Sequence, residues 1–186
     1  MPILLAEPQV HPEGLLENPQ VPSPEQRWWV LHTRPRQEKS LARQLFANGI
    51  SFYLPLLARR LRVRNRTMTS FSPLFPGYLF LLAEAEERVS ALATGRIVRA
   101  LPVVDQAKMH HDLVQLYRLI ATGAPITPED RLGPGDAVEI RSGPLMGLRG
   151  KILKSASGRR FVVEVDFIQR GASILFDDSM LGPVTA

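Results

Sequence analysis

Apolar and polar positions come in short bursts along this chain, and the period of the bursts changes from one segment to the next. Trp28 to His32 (WWVLH) is a compact aromatic and β-branched run, which predicts a strand. Between Arg36 and Asn48, Leu41, Ala42, Leu45 and Phe46 recur at helical spacing. Pro35 stands near the start and Asn48-Gly49 at the end, so a helix is expected there. Ser51 to Val63 reads as a strand, and Leu74 to Leu82 as a second, more strongly apolar one. Glu84 to Thr94 reads as a short helix, acidic in its first turn and closed by Gly95. Ile97 to Val103 gives a further strand. Met109, Leu113, Leu116, Tyr117 and Ile120 then form one apolar stripe over Met109 to Ala121, a third helix that Gly123 ends. An antiparallel sheet with helices packed on one face would bury all these apolar faces.

Residues 124–134 break the pattern with Pro125, Pro128, Gly133 and Pro134 and are expected to be a linker. Beyond them only strand-length patterns appear: Asp136 to Arg141, Lys151 to Lys154, Phe161 to Ile168 and Ser173 to Phe176. In the third of these, Phe161, Val163, Val165 and Phe167 alternate with Val162, Glu164 and Asp166. Short strands punctuated by glycine suit a small closed barrel, which removes exposed edges. Residues 1–26 carry six prolines and little periodicity, and read as a flexible acidic leader. The expected fold is therefore α+β: a leader at 1–26, a sheet-and-helix domain at 27–123, a linker at 124–134 and a small β-barrel at 135–186.

Charge sharpens this division. The net charge is +5, but residues 1–26 hold −4, residues 27–123 hold +9 and residues 124–186 are neutral. A basic middle segment favours a polyanionic partner, because each Lys or Arg placed on a phosphate releases a counterion. Arg59, Arg60, Arg62, Arg64 and Arg66 form the densest basic run. In an extended chain Arg60, Arg62, Arg64 and Arg66 share one side, a strip suited equally to a nucleic-acid backbone or to plain solvation. Contact through such a strip is to phosphate and carries little sequence information.

Catalytic chemistry finds no support. The chain has no cysteine, which excludes disulfides, thiolate metal sites and thiol nucleophiles, and fits a cytoplasmic protein. The adjacent His110 and His111 diverge by about 100° on a helix and cannot chelate one metal together. No serine nucleophile elbow is present. The glycines at 143, 147 and 150 precede Lys151-Ile152-Leu153-Lys154, a strand pattern, so a phosphate-cradling loop before a helix is not indicated; tight turns are. No cofactor is expected. No stretch approaches the roughly 20 apolar residues of a membrane span, and a membrane partner is not expected. Tyr78 and Phe80 alternate with Leu79 and Leu81, which fits a strand buried on both faces. An exposed aromatic patch for a partner helix is the other reading.

Three blocks in order carry a resemblance. Trp28-Trp29-Val30-Leu31-His32-Thr33 is similar to the first strand of the N-terminal (NGN) domain of the NusG family. Phe75-Pro76-Gly77-Tyr78-Leu79-Phe80 resembles that domain's FPGY strand. Gly135-Asp136-x-Val138, followed by Gly143-Pro144-x-x-Gly147-x-x-Gly150, resembles the KOW motif of the family's SH3-like C-terminal barrel. The resemblance implies a monomeric, non-enzymatic elongation or antitermination factor that sits on the clamp helices of bacterial RNA polymerase and suppresses pausing. It puts Phe75, Tyr78, Phe80 and His32 at the polymerase. It also implies that the KOW domain recruits the termination factor Rho or the ribosomal protein NusE, through Leu145, Met146 and Leu148 in one loop and Phe167, Ile168 and Arg170 in another.

Ser72 to Phe80 is most similar to the RfaH-like branch, in which Arg34 matches a basic residue facing nontemplate DNA. With Arg60, Arg62, Arg64 and Arg66 it would meet nontemplate or upstream DNA. Two segments depart from the pattern. Thr94-Gly95-Arg96-Ile97 stands where the family has Pro-Gly-Val, and Glu87-Arg88-Val89-Ser90 where that branch has a threonine-rich motif. A ribosome-associated RNA-binding KOW protein would also explain the barrel and the charge, but not the first domain. A hydrolase with an SH3-like appendage lacks a candidate nucleophile.

Overall fold

A computed structural model describes residues 8–18, 23–63, 66–129, 134–155, 158–175 and 181–183. The chain divides into two compact units, residues 1–106 and 107–186.

The first unit contains β1 (Val10–His11), β2 (Arg27–Thr33), α1 (Glu38–Ala47), β3 (Ser51–Tyr53), β4 (Leu56–Val63), β5 (Arg66–Pro73), β6 (Tyr78–Ala83), α2 (Ala85–Leu92) and β7 (Ile97–Pro102). Its main sheet is antiparallel with order β1-β3-β6-β2-β7. Alternation sorts the central strands onto two faces. Leu31 pairs with Leu79 and Trp29 with Leu81 on one face; Trp28 pairs with Leu82 and Val30 with Phe80 on the other. The first face packs on Leu41, Ala42 and Leu45 of α1 and Ala91 of α2, so helices cover it as expected.

Each helix ends for a local reason. Asn48 and Gly49 return their N–H groups to the last turn of α1, and Gly49 takes φ +69. At the start of α2, Glu87 reaches back to accept the N–H of Glu84 at 2.9 Å.

Several expectations are corrected here. Ser51 to Val63 is two strands in different sheets, because Pro55 lacks an N–H and cannot carry a ladder across. Strand β5 was not expected: its sequence, RTMTSFSP, is too polar to show core alternation, yet it pairs with β4 along its whole length. The strand expected from Leu74 begins only at Tyr78, since Phe75-Pro76-Gly77 forms a turn. The leader is not flexible throughout. Val10 and His11 extend the sheet beside β3, Leu15 and Leu16 are buried, and His11 meets Phe46 edge-on at 5.0 Å. That contact accounts for Phe46, which stands half exposed on a helix stripe expected to face the core.

The second unit contains nearly all of α3 (Gln106–Ala121), then β8 (Thr127–Glu129), β9 (Asp136–Ile140), β10 (Arg149–Ser155), β11 (Gly158–Val165), β12 (Arg170–Leu175) and β13 (Leu181–Pro183). These strands make one antiparallel sheet, order β13-β9-β10-β11-β12-β8, with Phe161, Val162, Val163, Val165 and Ala172 at its buried centre. The expected closed barrel is not found among the described residues: β13 and β8 end the sheet without pairing to each other.

The expected linker is also corrected, because its residues 127–129 are β8. Pro128 is tolerated there since an edge strand leaves one side unpaired. Glu129 accepts a hydrogen bond from Ser173 and pairs with Arg160 at 3.3 Å, which fastens β8 to the sheet. The strand expected through Ile168 stops at Val165, where a 3₁₀ turn (Asp166–Ile168) and a left-handed Gln169 redirect the chain. The unit boundary falls before α3 rather than after Gly123.

Candidate functional site

The FPGY turn is held from three directions. Gly77 has φ +84, a conformation that favours glycine, and a Cβ there would come within 3.4 Å of His32 Nε2. Its N–H donates to Glu38 Oε1 at 2.7 Å, and its carbonyl accepts the Thr33 N–H at 2.9 Å. The Tyr78 N–H donates back to Phe75 O at 3.1 Å. Glu38 is buried in the first turn of α1, so this bond lies in a low-dielectric place, where it is electrostatically stronger than in water.

The turn thereby sets Tyr78, which lies directly across β2 from His32 with the two rings 5.4 Å apart. His32 is exposed and Tyr78 half-buried, so this pair reaches the surface. Phe75 and Phe80 do not. Both are fully buried, Phe80 lying edge-to-face with Phe75 and stacked on Tyr53. Glu38, which fixes the turn, carries no sequence signal beyond an acidic first helical turn.

Arg34 follows directly after β2 and is exposed, its backbone N–H bonded to Arg96 O at 2.8 Å. Arg96, in the segment that departs from the family pattern, has a local task. Its guanidinium donates to Ser40 Oγ at 3.0 Å and Gln44 Oε1 at 2.7 Å, joining α1 to the start of β7.

The arginine run lies on the β4–β5 hairpin, a two-stranded sheet on its own. Arg59, Arg60 and Arg62 are exposed. The one-sided strip is corrected in part: Arg66 is in register with Val63, so β5 does not continue the line of Arg60 and Arg62. Arg64 lies outside the described residues.

In the second unit both expected partner loops are tied to α3. Gln115 Oε1 accepts the Arg149 N–H at 2.9 Å, and Asp112 Oδ2 accepts the Asp166 N–H at 3.2 Å. Lys108 reaches Asp112 at 3.3 Å and Asp166 at 3.6 Å. Leu145 and Leu148 are buried rather than exposed at loop tips, whereas Met146 is 70% and Phe167 40% exposed. Ile168 and Arg170 are half-buried. A cavity of about 390 Å³ lies between Arg118 and Ala121 of α3 and Leu145, Met146 and Leu148 of the loop. Asp112 and Gln115 were missed by periodicity reasoning, because a polar residue beside an apolar stripe reads as solvated.

Burial lifts Asp112 above its ordinary value of 3.8, against the Asp166 N–H and Lys108, which lower it. Burial lowers Lys108, but Asp112 and Asp166 together lift it further, so it stays charged. The two partners thus differ: pairing wins at half-exposed Lys108, and desolvation wins at buried Asp112. A raised carboxyl contributes stability that is present below 3.8 and lost as pH rises through the folded value. Ionised Asp112 therefore costs stability at neutral pH. Asp112→Asn keeps an acceptor for the Asp166 N–H and gives up an ion pair worth about 0.3–0.5 kcal/mol. It should melt a few degrees higher than the wild type at pH 7, with the gain shrinking towards pH 4. Thermal melts across that range check this; a lower melting point at every pH would show that the ion pair outweighs burial.

Among the described residues no group of three metal-ligating side chains occurs, and no helix is long and apolar enough to cross a membrane. Residues 26–115 match the family model described as "NusG: Transcription termination factor nusG". No curated protein matches the sequence. A solved structure described as "Domain interaction in Thermotoga maritima NusG" aligns with 86% of this chain and 98% of its own, at 17% identity and a TM-score of 0.46. The matched segment, which is similar to the NusG family model, contains both the Trp28–Thr33 strand and the FPGY turn that Glu38 holds.

Proposed function

We propose that this chain is a non-enzymatic transcription elongation and antitermination factor that docks on bacterial RNA polymerase through the corner formed by His32 and Tyr78. The observation that carries the reading is the anchoring of that corner. A buried carboxylate and two backbone hydrogen bonds fix a left-handed glycine turn whose product is one half-exposed tyrosine beside one exposed histidine. A turn needed only for chain reversal does not require a buried side-chain acceptor from a helix 39 residues away.

Phe75 and Phe80 act from beneath as the packed floor that sets the Tyr78 position. Arg34 and the arginine run (Arg60, Arg62, Arg64, Arg66) contact nontemplate or upstream DNA by charge. The second unit is read as a KOW-type module that recruits Rho or the ribosomal protein NusE through Leu145, Met146, Leu148, Phe167, Ile168 and Arg170. Met146 and Phe167 supply its exposed apolar contacts. The Ser72–Phe80 resemblance supports a specialised, RfaH-like paralogue.

The test is transcription by the cognate polymerase on templates with a strong pause and a terminator. Wild-type protein should shorten the pause or raise read-through. Tyr78→Ala and His32→Ala, both at surface positions and expected to fold, should lose most of that effect, on the order of tenfold in effective concentration for a docking hot spot. A wild type without effect on any template, combined with salt-sensitive binding to ribosomal RNA, would replace this reading with the ribosome-associated one.

A further inference from the structure

We infer that the β4–β5 hairpin is a binding site for single-stranded nucleic acid, with Phe71 as a base-stacking platform and Arg60 and Arg62 as its phosphate contacts. The inference rests on the reading of this hairpin as a nucleic-acid surface and goes beyond it, by naming the strandedness of the ligand and a residue that no charge argument selects.

The register supplies the geometry. Phe71 lies across from Ala58, Arg60 from Thr69 and Arg62 from Thr67, so these six positions share one face of the ribbon. Phe71, Arg60, Arg62, Thr67 and Thr69 are all exposed, Phe71 by 40%. Arg60 sits diagonally from Phe71, a cross-strand separation of roughly 7–8 Å that long side chains span. Residues 56–73 hold five arginines and no acidic residue. One end of the face is therefore a flat π surface beside the small Ala58, and the rest is cationic or hydroxyl-bearing.

Two alternatives are weaker. A protein helix seeks a contiguous apolar patch. Met68, also exposed, is in register with Leu61 and lies on the opposite face. Duplex DNA offers phosphates but no free base face, so it would use the arginines and leave Phe71 in water. A single strand uses both, since every base has a π face and stacking tolerates any sequence. The aromatic ring on an otherwise polar, positively charged face is what selects the single strand.

The experiment uses the full chain and fluorescence anisotropy at low salt with three probes: an oligothymidylate of about 15 nucleotides, an oligouridylate of the same length and a matching duplex. Both single strands are expected to bind more tightly than the duplex, and their ratio distinguishes DNA from RNA. Phe71→Ala should weaken single-strand binding roughly 5-fold to 100-fold and leave its salt dependence unchanged. Arg60→Ala and Arg62→Ala should each flatten the dependence of log K on log salt by about 0.7. Phe71→Leu keeps an apolar side chain but no π face, so it should resemble Phe71→Ala; a wild-type melting curve for each variant confirms the fold. If both Phe71 variants bind like the wild type while the arginine variants are weak, the stacking site is overturned and phosphate contact stands. If the wild-type chain binds none of the three probes, the nucleic-acid reading of the hairpin falls as well.

Discussion

Phe80→Ala is expected to cost about 3–5 kcal/mol of stability, the range for truncating a fully buried phenylalanine. Phe80 is 0% exposed at the centre of the sheet, on β6 between β3 and β2, with Phe75 edge-on and Tyr53 stacked against it. Tyr53 and Phe75 are equally buried, so the void has no flexible neighbour to fill it. A domain of this size is stable by about 5–15 kcal/mol in all, so the loss should lower its melting temperature by more than about 10 °C.

Tyr78→Ala, two residues earlier on the same strand, should melt close to the wild type, because that ring is half solvated. The pair of variants separates floor from contact. Phe80→Ala loses stability, and Tyr78→Ala fails at the polymerase with its stability kept. Equal melting curves for the two would mean that Phe80 is not packed as described, and would return it to the set of direct contact residues.

Legibility in the sequence followed burial. Strand β2 and helix α1 were readable because both bury a continuous face, so selection for packing leaves a period in the residue types. Strand β5 left none: Thr67, Thr69 and Phe71 face solvent, and their pairing with β4 is made by backbone groups that every residue shares. The edge strands β1 and β8 are only two and three residues long, too short to show a period, and Pro128 within β8 pointed actively the other way. Helix α3 was legible as a helix but not in its membership. A stripe of Met109, Leu113 and Leu116 announces that something covers it and not what. What ties it to the second unit is polar, Gln115 on the Arg149 amide and Asp112 on the Asp166 amide, and such bonds depend on loops distant in sequence.

The candidate site divides in the same way. The FPGY motif and the arginine run could be read directly. Glu38 could not, because its role exists only once α1 has been laid beside the Gly77 turn, 39 residues away in sequence.

Gly150→Ala should damage the second unit as severely as Phe80→Ala damages the first, by a different route. A Cβ at this position would meet the carbonyl oxygen of Val162 at 2.3 Å and the Phe161 ring at 2.9 Å. The oxygen belongs to strand β11, which pairs with β10 at Lys151–Val162, and the ring is completely buried. Neither obstacle is the free end of a flexible side chain, so the methyl fits only if the β10–β11 ladder opens or Phe161 leaves its place. Overpacking of this kind costs about 1–3 kcal/mol, and each ladder hydrogen bond lost adds about 0.5–1.5 kcal/mol. A loss of about 3–5 kcal/mol is expected.

Gly147→Ala is the internal control. That residue has φ +85 but nothing within 4 Å of the added carbon, so it should lose only the roughly 1–2 kcal/mol of a left-handed alanine. Denaturant melts of both variants decide the matter. Gly150 matters because β10 is crowded against β11, whereas Gly147 matters only for the bend of the loop that carries Met146. A Gly150→Ala variant as stable as Gly147→Ala would mean that β10 and β11 do not approach this closely, and the packing of the loop that begins at Gly143 would have to be redrawn with them.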